Sequence, residues 1–199
     1  KGNVIAPQKV MDTSGADILR LWVASTDYSG ELSISEEILK RVVESYRRIR
    51  NTLRFLLANL VDFNPHSDTV AVTECLEIDR YMLALTQSDQ DDLTQNYQRY
   101  EDLGGFYLDI LKDRLYTAAT QGLPRRSAQT ALHHIAHSLV RLFAPILSFT
   151  SEEVWEHLTG DSNGSVLLHT WHAFPAQADT EMLQQRWTKI RALRSQVLK

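Results

Sequence analysis

The sequence predicts an all-α fold, a helix bundle, and three observations carry that expectation. Apolar residues recur at three- and four-residue steps through most of the 199-residue chain. Helix-starting residues precede those runs, with Ser14, Ser35 and Thr150 each followed closely by Asp or Glu. Only 166–172 has strand character, so a βαβ arrangement has nothing to build on.

Taken in order, Val4 to Pro7 is expected to be extended or loop, because the residue before a proline avoids the helical region. Ser14 is placed to cap a helix with Asp17 at its third position and Ile18, Leu19, Trp22 and Val23 on one side. A polar loop, Thr26 to Gly30, ends that helix. Ser33 or Ser35 then caps the next, with Glu36 and Glu37 at its positive end. In this long helix, Ser35 to Leu60, an apolar stripe runs through Leu39, Val42, Tyr46, Ile49, Leu53, Leu56 and Leu60.

The same helix carries four arginines within eight residues, Arg47, Arg48, Arg50 and Arg54. At about 100° per residue, Arg47, Asn51 and Arg54 cluster on one flank of the stripe and Arg50 lies at its edge. Arg48 points nearly opposite, beside Phe55. A solvated face explains surface arginines by default. An outward Phe55 among them argues for a contact surface instead.

Asn64 to Asp68 reads as a surface turn. Helices are expected from Glu77 to Leu85, continuing over Leu93 to Tyr100 after a polar break, and from Asp102 to Tyr116. Gly122-Leu-Pro124 separates these from a helix at Arg125 to Phe143, which Pro145 stops. Thr150-Ser-Glu-Glu153 reads as a capping box for the next helix, Asp161 to Gly164 as a turn, and Glu181 to Lys199 as a last amphipathic helix.

Composition sets wide bounds. An apolar content of 43% with 23% charged residues is ordinary for a globular protein. No stretch approaches the roughly 20 apolar residues of a membrane span. Cytoplasmic location without a membrane partner is therefore expected. The start, Lys1-Gly-Asn-Val4, has neither Met nor an apolar signal and reads as the cut end of a longer chain. Cys75 is the single cysteine, which rules out an internal disulfide and a thiolate zinc site made from this chain alone. A net charge of −4 excludes a generic nucleic-acid magnet, but charge is segregated. Lys40 to Arg54 holds six basic residues against Glu44 alone, while Asp62 to Asp102 holds ten acids against Arg80 and Arg99.

No nucleophile elbow, phosphate loop, dinucleotide fingerprint or zinc-protease helix occurs. His133 and His137 have a spacing that can bind metal, yet projection turns them and His134 away from the apolar stripe, and exposed surface histidines without a metal are expected. Glu36/Glu37 and Glu152/Glu153 open helices, where the dipole accounts for them. Lys112, Arg114 and Tyr116 form a second basic-aromatic cluster at a helix end. Arginine pairs bidentately with phosphate and tyrosine stacks on a splayed base, so an RNA loop would fit. Alternatively Tyr116 is a partly buried bundle residue and Asp113 neutralises its neighbours.

Several strings together carry a family resemblance. Lys1-Gly-Asn-Val-Ile-Ala-Pro-Gln8, Gly15-Ala-Asp-Ile-Leu-Arg-Leu-Trp-Val-Ala-Ser25 and Ile49-Arg-Asn-Thr-Leu-Arg-Phe55 resemble the bacterial-type isoleucyl-tRNA synthetases of class I. Phe106-Tyr-Leu-Asp-Ile-Leu-Lys-Asp-Arg-Leu-Tyr116 and Ala144-Pro-Ile-Leu-Ser-Phe-Thr-Ser-Glu-Glu-Val-Trp155 resemble them again. Valyl and leucyl relatives share the Gly-Ala-Asp and Pro-Ile-Leu themes.

The resemblance implies a stem-contact segment over 1–32 following the family's KMSKS loop, an anticodon-binding helix bundle over 33–180 and the start of a C-terminal helical region over 181–199. It implies a parent ligase that joins isoleucine to tRNA(Ile) through an adenylate, with ATP, magnesium and zinc. The present residues are expected to be non-catalytic and monomeric, and to need no cofactor. Their expected partners are the tRNA(Ile) anticodon stem-loop and the parent's catalytic and C-terminal domains. Tyr100 and Asp102 nearly abut where the family has further helical residues, so either residues are missing there or a helix is deleted.

In methionyl relatives an Asn and an Arg on the first bundle helix and a Trp at a later helix end touch the anticodon. Arg50 lines up with that Arg, Tyr46 stands at the Asn, and Tyr116 falls near the Trp. The tRNA-binding set so implied is Arg47, Arg50, Asn51, Arg54, Lys112, Arg114 and Tyr116. The rival expectations are a docking bundle that supports the catalytic core, with Trp22, Phe55 and Trp171 as interface residues, and the equivalent domain of a valyl- or leucyl-type synthetase.

Overall fold

Eight α-helices and two short 3-10 turns form the regular structure among the described residues of the computed structural model, which are 5–27, 29, 34–91 and 106–197. They fall into two compact units. The first comprises 1–57 and 139–170, the second 58–138 and 171–199. The helices are α1 (Pro7–Ser14), α2 (Ala16–Ser25), α3 (Glu36–Leu60), α4 (Glu77–Asp91), α5 (Leu108–Thr117), α6 (Leu123–Phe143), α7 (Ser148–Thr159) and α8 (Thr180–Val197). The division between units falls within α3 and within α6.

In the first unit α1 packs on α2, α2 on α7, and α7 on the 3-10 turn Val166–Leu168. Of the loop expected at Val4–Pro7, Ile5 and Ala6 are non-helical, Val4 lies outside the described residues, and a helix already begins at Pro7. A proline at the first helical position loses no hydrogen bond, and Ala6 before it is extended. Ser14 closes this helix and does not cap the next one. Gly15, at φ 90 and ψ 159, makes the break between α1 and α2, in a region of backbone space that side chains all but forbid. Ser35 does cap α3, its hydroxyl accepting from the Ile38 N–H at 3.2 Å. Ile49, Leu53 and Leu56 of the α3 stripe are within the core as its spacing predicts, and Leu39, Val42, Tyr46 and Leu60 are half-buried.

The Thr150 capping box is replaced by a cap from far along the chain. Helix α7 begins at Ser148, and the buried carboxylate of Asp17 accepts from the N–H groups of Phe149 (3.3 Å) and Thr150 (2.8 Å) and from the Thr150 hydroxyl (2.6 Å). Arg20, one turn along α2, donates to the carbonyls of Pro145 and Ile146 at 2.6 and 2.8 Å. Two polar side chains of α2 thus satisfy the groups left open between α6 and α7. The strand expected at 166–172 is a 3-10 turn followed by irregular chain. Ser165 and Glu152 bind this segment's start, Glu152 accepting from the Ser165 hydroxyl and from Val166 N–H at 3.2 Å.

In the second unit α4 lies along α8, with Tyr81 stacked on Trp187 at 5.3 Å. A buried polar node joins α4, α5 and α6. Asp79, with no exposed surface, accepts from Arg114 at 2.5 and 3.0 Å, from Tyr107 at 2.8 Å and from Ser127 Oγ at close range. Burial, then Asp79, pushes the Tyr107 phenol well above its usual range.

The histidines are not the surface group expected. His133, His134 and His137 are half-buried, and His134 Nδ1 lies 2.8 Å from His172 Nε2, with Phe174 alongside. Projection missed this because the segment after Trp171 covers that face of α6. The helix expected over Leu93–Tyr100 and the Tyr100–Asp102 junction lie outside the described residues.

Candidate nucleic-acid interface

The basic flank of α3 belongs to the first unit. Arg47, Asn51 and Arg54, at steps of four and three, are all exposed. Arg47 pairs with Glu44 at 2.8 Å, both side chains more than half open to solvent. Such a pair is worth little and exchanges readily. Arg54 makes no hydrogen bond or ion pair among the described residues.

Arg50 is differently employed. Its guanidinium donates to both Glu153 oxygens, at 2.9 and 3.0 Å, and to the Tyr46 hydroxyl at 3.3 Å. The Thr150 hydroxyl spends its proton on Asp17, so Tyr46 is the donor in the 2.8 Å bond between Tyr46 and Thr150. A relay from Arg50 through Tyr46 and Thr150 to Asp17 therefore ties α3, α7 and α2 together. The bond to Glu153, then that to Tyr46, raises the Arg50 pKa and holds it charged.

These residues border a cleft of about 380 Å³ lined by Arg47, Arg50, Asn51, Tyr46 and Val43 of α3 with Thr13, Ser14 and Ile18 opposite. Arg48 is exposed and engaged with a further group, and Phe55 is half-buried rather than outward.

Lys112, Arg114 and Tyr116 belong to α5 in the second unit, and they separate by role. Tyr116 is 70% exposed, and Lys112, one turn before it, is exposed beside Asp109 at 3.0 Å. Arg114 faces inward to Asp79. Burial works against its charge, and the hydrogen bonds to Asp79 overcome that, so its pKa is raised. Its spacing already carried the signal, since Leu111, Arg114 and Leu115 share one face of the helix.

Arg125 went unread in the sequence. It donates to the Leu115 carbonyl, one residue before Tyr116, and to both oxygens of Asp62 at 2.9 and 3.0 Å, which fastens the end of α5. Among the described residues no three His, Cys, Asp or Glu side chains are placed to hold a metal, and no helix is long and apolar enough to cross a membrane.

Residues 93–198 match the family model described as the anticodon-binding domain of tRNA ligase. The chain belongs to that family. Residues 1–35 match the model of class I tRNA synthetases (I, L, M and V), so α5 lies within the anticodon-binding match and α3 just past the synthetase match. The chain is 64% identical to the isoleucine–tRNA ligase of Nitrosomonas europaea, over an alignment of 217 positions that takes in all of it. It is 62% identical to that of Thiobacillus denitrificans and 58% identical to that of Neisseria gonorrhoeae. It spans 23% of the length of each of these relatives. The fold is shared with a LeuRS of Agrobacterium radiobacter K84 crystallised with tRNA and LeuAMS, at a TM-score of 0.54 and 22% identity over 92% of this chain and 22% of that one.

Proposed function

We propose that the chain is the part of an isoleucine–tRNA ligase that holds the anticodon stem-loop of tRNA(Ile). One observation carries the reading: within an anticodon-binding family member 64% identical to an isoleucine–tRNA ligase, the α3 flank leaves Arg47, Asn51 and Arg54 open on one face. Lys112 and Tyr116 supply the exposed cation and aromatic of α5, the latter suited to stacking on an unpaired base. Arg50 and Arg114 contribute by fixing the elements that bear these groups. The parent ligase would join isoleucine to its tRNA in the cytoplasm, as a monomer, using ATP and magnesium. The parent would also use zinc, for which Cys75, buried with its thiol pushed up by that burial, is a poor ligand.

Titration of the chain with the labelled stem-loop tests the reading. Arg54→Glu is expected to weaken binding about tenfold at low salt, and affinity to fall as salt rises. Binding that neither responds to salt nor changes in Arg54→Glu and Lys112→Glu would overturn it.

A second reading, a docking bundle for other domains of the parent, draws on the exposed apolar residues of α8. Met182, Leu193 and Val197 are 66%, 62% and 76% exposed. It predicts no effect of either substitution on RNA binding.

A further inference from the structure

We infer that the cleft between the α1–α2 break and α3 seats a backbone phosphodiester of bound RNA, gripped by Arg47, Asn51 and Ser14. The inference rests on the RNA-binding reading and adds a second wall to it, for Ser14 lies outside the basic helix on which that reading stands. The cleft is large enough for a phosphate with part of its ribose, at about 380 Å³.

Arg47 and Arg50 bring guanidinium groups to its wall, each paired with a carboxylate, Glu44 or Glu153, that is not among the lining residues. Arg50 is locked in place by Tyr46 and by Glu153, which offsets its charge, so it forms a fixed wall of the cleft rather than a moving contact. Arg47 is the exchangeable cation, because it gives up only an exposed surface pair when it turns to a phosphate. The Ser14 hydroxyl and the Asn51 amide make no hydrogen bond among the described residues, and both line the same cleft. Thr13 is already spent, its hydroxyl donating to the Lys9 carbonyl at 2.7 Å. Unspent neutral donors beside an exchangeable cation suit phosphate oxygens, which accept and never donate.

A base is the poorer fit. Tyr46, the one aromatic in the lining, is half-buried and held by its hydroxyl between Arg50 and Thr150, so its ring does not swing out to stack on a splayed base as an exposed tyrosine does. The cleft therefore contributes affinity and register, and sequence discrimination falls to other residues.

The test compares the unsubstituted chain with Arg47→Ala, Asn51→Asp and Ser14→Asp on two hairpins, the tRNA(Ile) anticodon stem-loop and one of equal length with a scrambled loop. Anisotropy titrations run from about 50 to 300 mM potassium chloride. Each variant is expected to bind both hairpins about tenfold more weakly at the lowest salt, with thermal unfolding unchanged. Arg47→Ala should also lower the salt slope by about one. Unchanged affinity and slope in all three variants overturns the cleft while leaving the broader RNA reading intact. A loss confined to the cognate loop also overturns it, since that is the signature of base contact. If the unsubstituted chain binds neither hairpin, the RNA reading itself falls and takes the cleft with it.

Discussion

Asp79 shows how much can depend on one carboxylate. It is wholly buried and receives four hydrogen bonds, two from the Arg114 guanidinium and one each from Tyr107 and Ser127. Ser127 in turn accepts the Leu76 N–H at 2.8 Å, just ahead of α4, so the node also caps that helix. Removing the carboxylate would leave Arg114, whose side chain is only 18% exposed, without its counter-charge. An uncompensated charge at such depth costs about 3–5 kcal/mol. Asp79→Ala is therefore expected to lower unfolding stability by about that amount in urea titration, whereas Arg54→Ala, on an open helix flank, should stay within about 0.5 kcal/mol. Equal and small effects from both would mean that the node contributes no net stability. The same contrast separates the two kinds of arginine that the sequence presents alike. Arg47 and Arg54 have surface to spend on a ligand, and Arg114 has little.

At the scale of elements, helices whose apolar faces repeat locally were legible, and joints between distant segments were not. The α3 stripe is visible in spacing alone because its period is a property of consecutive residues, and Ile49, Leu53 and Leu56 are buried as that period requires. The cap of α7 is a different matter. Thr150-Ser-Glu-Glu153 has the composition of a self-contained box, yet Thr150 bonds to Asp17, Glu153 to Arg50 and Glu152 to Ser165. Each partner comes from another element, and no local pattern announces it. The strand expected at 166–172 failed for a related reason, since apolar residues form a strand only beside another strand and the neighbours here are helical. Asp17→Ala removes the acceptor for two backbone N–H groups and a hydroxyl. It should cost about 1–2 kcal/mol, the upper range for a lost cap, read as a lower denaturation midpoint. Thr150→Ser keeps the hydroxyl and is expected to retain most of that stability. If Thr150→Ser loses as much as Asp17→Ala, the Thr150 methyl rather than the cap is what matters.

For the molecule as a whole, the net charge of −4 says little, and the placement of individual titrating groups says more. The candidate interface illustrates this, since charge counting found the α3 flank but gave Arg50 and Arg114 the same standing as their solvent-facing neighbours. Acid stability follows from placement too, and two groups of the second unit set its shape. Burial lowers His134 from its ordinary 6.5, so the folded state holds that proton less tightly than the unfolded chain does. Stability tied to neutral His134 is complete above about pH 6.5 and is lost as pH falls through the lowered folded value. The 2.8 Å contact with His172 admits a proton on one ring but not on both, because an N–H···N bond needs one unprotonated ring as acceptor.

Asp62 acts lower on the scale. Burial alone would raise its carboxyl, but the hydrogen bonds from Arg125 and Gln129 outweigh that and hold it below its ordinary 3.8. Its contribution is complete above about pH 4 and disappears as pH falls through the folded value. Urea midpoints measured from pH 8 down to pH 3 should therefore decline in two stages. His134→Gln is expected to flatten the first stage, below about pH 6.5, and leave the second. Asp62→Asn should lower the midpoint throughout the neutral range and flatten only the second. A His134→Gln curve parallel to that of the unsubstituted chain between pH 7 and 5 would show that the histidine cluster carries no acid sensitivity, and the first stage would then belong to another group.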